Sequence, residues 1–75
     1  MEEKILEILA GIDEGILSFE GDDLLEAGLL DSFQIIELVE MLEDAFDMEI
    51  DAEYVVAENF ATKEAIIEMM QRLLA

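Results

Sequence analysis

The chain has 75 residues with 21 acidic side chains against 3 basic ones, a net charge of −18; this allows one domain and turns it away from nucleic-acid phosphates and anionic membranes, toward partners with basic patches. Hydrophobic residues make up 55%, enough for a compact core, so the charge does not imply disorder. Histidine and cysteine are absent, which removes disulfides, thiolate metal sites and the imidazole base that nucleophilic catalysis most often uses.

Apolar residues recur at three and four, and there is no proline and no strand-like alternation, so the chain reads as helices joined by glycine-marked loops. A first helix is predicted from about Glu2 to Ile12, with Ile5, Leu9 and Ile12 on one face. From Asp13 to Leu30 runs a long connection with Gly15, Gly21 and Gly28; its Ile16, Leu17, Phe19, Leu24 and Leu25 suit a loop packed over the core. A second helix covers about Ser32 to Phe46. Asp31 caps it, Gln34 three residues on completes a capping box, and Leu30 with Ile35 forms a hydrophobic staple. On this register Ser32 is the first helical residue and its hydroxyl is uncommitted.

A short helix follows over about Ala52 to Ala57, capped by Asp51 with Ile50 and Val55 as its staple pair. The last runs from a Thr62 cap to about Leu74, burying Ile66, Met69, Met70 and Leu73, with Arg72 suiting the negative end of its dipole. The expected fold is all-α, a four-helix bundle with one short helix, residues 1–75 forming a single domain. With neither a basic leader before an apolar stretch nor an apolar run near ~18 residues, neither a signal peptide nor a membrane span is expected, and a cytoplasmic location follows. The acids do not have calcium-loop spacing; Asp22 and Asp23 fall wrongly for it, and no metal site is expected.

The run Gly28-Leu29-Leu30-Asp31-Ser32-Phe33 resembles the carrier-protein family, the acyl, peptidyl and D-alanyl carriers. The resemblance continues through Glu37-Leu38-Val39, Leu42-Glu43, Phe46, Met48-Glu49-Ile50 and Asn59-Phe60-Ala61-Thr62. It implies that Ser32 receives 4′-phosphopantetheine from coenzyme A through a separate phosphopantetheinyl transferase. It also implies that the protein is no enzyme itself and shuttles cargo as a thioester. A helix N-terminus suits the phosphodiester, since it presents unpaired amide donors and the positive dipole end. The plain alternative is that Ser32 is a second capping hydroxyl; Ser18, in a loop with no helix start beside it, competes poorly. The flanks Leu-Leu before and Phe-Gln after differ from the Gly-Ala-Asp-Ser-Leu-Asp of fatty-acid carriers and lack the glycines of peptidyl carriers. They look most like D-alanyl and freestanding carriers.

At about 100° per residue, Ile35, Leu38, Leu42, Ala45 and Phe46, with Val39 beside them, form the core stripe of the second helix. Glu37, Glu40, Glu43, Asp44 and Asp47 lie opposite. Phe33 and Ile36 fall among those acids within a turn of Ser32, so Phe33, Ile36, Glu37, Glu40 and Asp44 are candidates for docking a cargo-loading ligase or acyltransferase with a basic rim. Ile36 is the better anchor, since the larger ring of Phe33 is inclined to tuck beneath the neighbouring loop. Met41, Met48, Met69 and Met70 read as core filler. A monomeric carrier is expected; the alternative is a non-catalytic acidic interaction module that works unmodified.

Overall fold

The structure, a computed structural model, describes residues 2–75. Helix α1 spans Glu2–Ile12 and buries Ile5 and Leu9, with Glu2 and Glu3 at its positive end. The Asp13 carboxylate then accepts the Gly15 amide at 2.8 Å, and the chain winds one further turn, α2, over Gly15–Ser18, which buries Ile16. A connection without helix was expected here; four residues are too few to display a period. The rest of the connection does pack on the core. Leu24 and Leu30 are buried, and Leu17, Phe19, Leu25 and Leu29 lie partly buried against them.

Two ties hold this connection to the far end of the chain. The Leu24 amide donates to the Ala61 carbonyl at 2.7 Å, and the Lys63 ammonium donates to the Leu17 carbonyl. The Leu24 carbonyl in turn accepts the amides of Leu29 and Leu30 at 3.0 and 3.3 Å. Gly28, at φ +82°, makes the left-handed turn between them, a conformation glycine adopts without the strain a Cβ brings.

Helix α3 covers Ser32–Phe46 and buries Ile35, Leu38 and Leu42. It ends at Asp47, left-handed at φ 51°, whose amide returns to the Glu43 carbonyl. The short helix expected over Ala52 to Ala57 does not form. Two 3-10 turns stand there, Ala52–Tyr54 and Ala57–Phe60, and the Asp51 side chain makes no capping bond. Val55 and Val56 lie between them, Val56 in extended conformation; adjacent β-branched residues in so short a run leave too little helix to repay nucleation. Phe60 anchors the segment, fully buried.

Helix α4, Lys63–Leu74, begins where expected, with the Thr62 hydroxyl accepting the Ala65 amide at 3.0 Å. It buries Ile66, Met69 and Met70, while Leu73 is half-buried and not enclosed. α1 packs against α2, α3 and α4, and α4 against the second 3-10 turn. The described residues thus form an all-α bundle of four helices, the short one being α2 and not a helix after α3. No described helix is long and apolar enough to cross a membrane.

The buried set is wholly apolar, and the charge stays outside almost without counter-ions. Among the described residues the one ion pair is Arg72 with Glu68, 3.9 Å apart and exposed on both sides, a kind worth little. Like charges ~10 Å apart in water repel by ~0.4 kcal/mol before screening, and a Debye length of ~8 Å at physiological ionic strength removes much of it. Thermal midpoints are therefore expected to rise by several degrees between low and moderate salt, and with millimolar divalent cations. Equal midpoints would show that the acids are already compensated.

Candidate functional site

The start of α3 is set by a reciprocal cap. Asp31 is extended, at φ −121° and ψ 176°. Its carboxylate accepts the Gln34 amide at 2.8 Å, and the Gln34 side-chain oxygen accepts the Asp31 amide at 3.1 Å. Both residues of the expected staple, Leu30 and Ile35, are buried, which fixes the angle at which the chain turns into the helix. Ser32 follows the cap directly, exposed, and among the described residues its hydroxyl has no hydrogen-bond partner. The amides of Ser32 and Phe33 precede the first carbonyl a helical amide can reach and stay free. No acidic residue stands in this first turn.

The other aliphatic hydroxyls are placed differently. Ser18 is exposed but closes the C-terminal end of α2, donating to the Gly15 carbonyl at 3.4 Å, so it sits at the end of a helical turn and not in a plain loop. The Thr62 hydroxyl is occupied as the cap of α4.

On the outward face of α3 the structure brings together the residues singled out for docking. Phe33 is 75% exposed and Ile36 58%. The ring of Phe33 does not tuck beneath the preceding connection; that connection is held on the core by Leu24 and its tie to Ala61, and leaves this face open. Glu37, Glu40 and Asp44 are exposed, and with Glu43 and Met41 they line an open groove of about 540 Å³. Two details depart from the sequence pattern. Glu43 is half-buried, its carboxylate accepting the Ile50 amide at 2.7 Å, so it pins the chain after α3 and does not simply face solvent. Met41 lines the acidic groove, whereas Met48 packs on the core and Met69 and Met70 are within it. Glu43 is the residue the pattern missed: a carboxylate bonding an amide seven residues away leaves no local signature. Among the described residues no three carboxylates are grouped so as to hold a metal ion.

The family model described as "Phosphopantetheine attachment site" matches the chain over residues 3–73. No curated protein and no solved structure gives a significant match. Carrier domains of the matched family are generally non-catalytic and generally interact with a phosphopantetheinyl transferase and partner enzymes. With 71 consecutive residues matched and a small all-α fold to accompany them, the chain belongs to the phosphopantetheine-attachment family and is a carrier protein whose cofactor is covalently attached 4′-phosphopantetheine.

Proposed function

We propose that Ser32 is the attachment residue, and that the chain acts as a single carrier domain taking cargo from one enzyme to the next. The carrying observation is the exposed, unpartnered Ser32 hydroxyl directly after a completed Asp31–Gln34 cap. The surroundings suit the group. Two free amides and the positive end of a 15-residue helix favour an anionic substituent there. Exposure leaves room for a transferase to reach the oxygen, and since Asp31 is occupied with its cap, removal of the hydroxyl proton falls to that enzyme. Asp31 and Gln34 hold the first turn in place while this happens. The arm, when present, supplies a terminal thiol that holds acyl or aminoacyl cargo, D-alanyl among them, as a thioester.

The chain works as a monomer in the cytoplasm, where coenzyme A supplies the arm. Its partners are the transferase and a loading ligase or acyltransferase with a basic docking patch. Incubation with coenzyme A and a broad-specificity phosphopantetheinyl transferase, read by intact mass, is expected to add one arm per chain. A protein that stays at its original mass sinks the proposal.

Phe33, Ile36, Glu37, Glu40 and Asp44 form the surface such partners meet. Lysine at Glu37 and Glu40 is expected to slow association and flatten its salt dependence, because long-range steering is lost. Ile36→Glu is expected mainly to speed dissociation, since it removes an apolar anchor. Both variants should melt within ~0.5 kcal/mol of the parent, as exposed substitutions do. Loading kinetics at the parent rate in Ile36→Glu would move the docking surface elsewhere, and unfolding of that variant would put Ile36 in the core.

A further inference from the structure

The net charge of −18 is unevenly spread over the fold. In α4, Lys63 and Arg72 cancel Glu64 and Glu68, so residues 1–62 carry all of it, Lys4 standing alone against 19 acids. The acids of α1 are Glu2, Glu3 and Glu7, with Lys4 among them. The two terminal helices together hold −2, and the stretch between them, residues 13–62, holds −16. Folding turns this into a difference between surfaces. α1 packs against both α3 and α4, while α3 and α4 share no comparable contact. Both bury their apolar stripes in one core, so their outward faces point to different sides. Beside Ile36, the groove on the α3 side is lined by Glu37, Glu40, Glu43, Asp44 and Met41, with no cation. On the α4 side Glu64, Glu68, Gln71 and Arg72 are exposed. Glu68 there is paired with Arg72 at 3.9 Å, and Glu58 shares their groove.

We propose that where the charge sits, and not how much of it there is, orients this carrier: a partner with a basic patch meets the α3 face first, and α4 is the trailing face, left in solvent while the carrier is docked. The inference rests on the docking surface proposed on α3 and goes beyond it by assigning the opposite side. Its physical ground is screening. At physiological ionic strength the Debye length is ~8 Å, against a molecule 19 to 29 Å across. The field met at one face is therefore set by the charges on that face, and acids on the far side add little. Such a field raises association rates by ~10- to 10³-fold, and a face whose charges cancel gains none of this.

The test uses two double variants of the full chain with the same net charge, Glu37→Lys with Glu40→Lys and Glu64→Lys with Glu68→Lys. Each exchanges two exposed acids for two bases and leaves the chain four charges less negative. Association with the broad-specificity phosphopantetheinyl transferase is followed at low salt. The α3 pair is expected to slow it ~10-fold or more, and the α4 pair to stay within about twofold of the parent. Because Glu64 stands in the first turn of α4, a second readout avoids that helix start. The chain has no cysteine, so Glu40→Cys or Gln71→Cys carries a single fluorophore. In the complex, the dye at position 40 should be shielded from iodide quenching and the dye at position 71 should quench as in the free chain. Equal slowing by the two double variants, or shielding at position 71, overturns this inference alone. An unslowed α3 pair with an unshielded dye at position 40 removes the docking surface on α3, and this inference with it.

Discussion

Ser32→Ala is expected to fold as the parent does and to take up no phosphopantetheine at all. The first half follows from the local structure. The Ser32 hydroxyl has no partner among the described residues, the cap is made by Asp31 and Gln34, and alanine is the best helix former. The melt should therefore stay within ~0.5 kcal/mol of the parent. The second half follows from what the remaining hydroxyls are doing. Ser18 donates to Gly15 at the C-terminal end of a single helical turn, where the dipole disfavours an anion, and Thr62 is committed to capping α4. Peptide mapping of the treated parent should find one modified position. Modification persisting in Ser32→Ala, or mapping to Ser18, would remove the central claim.

Phe60→Ala is expected to cost most of the stability of the domain. The ring is fully buried and is the anchor of the second 3-10 turn against α4. Large-to-small changes at a buried aromatic cost ~3–5 kcal/mol, against the ~5 kcal/mol at the lower end for a small domain. For a domain of this size each kcal/mol lowers the midpoint by roughly 4–8 °C. The variant should be largely unfolded or melt tens of degrees below the parent. Glu58→Ala, an exposed neighbour in the same turn, should melt with the parent. The damage should reach the attachment site, because Ala61 follows Phe60 directly and holds the Leu24 amide, and the Leu24 carbonyl orders the approach to Asp31. A Phe60→Ala protein that melts near the parent would show that the 3-10 segment is only loosely attached to the core.

What could be read in the sequence was whatever is settled within about four residues. The starts of α3 and α4 belong here: Asp31 reaches Gln34 and Thr62 reaches Ala65, so residue type and spacing suffice. The core stripes of α1, α3 and α4 belong here too, because a period of three and four survives over eleven to fifteen residues. The same range placed Ser32 directly behind a cap with its hydroxyl free. Tertiary contacts decided the rest. The short helix over Ala52 to Ala57 failed partly for a local reason, the adjacent Val55 and Val56, but the seating of the two 3-10 turns in its place turned on burying Phe60. Whether Phe33 tucked in or stood out turned on where the preceding connection was held, by Leu24 on Ala61 and by Lys63 on Leu17, ties spanning 37 and 46 residues. Such bonds join backbone groups, or a side chain to a distant carbonyl, and backbone groups are the same in every residue but proline. Their partners are chosen by how the core packs, which is why the exposure of Phe33 was settled only in the folded chain.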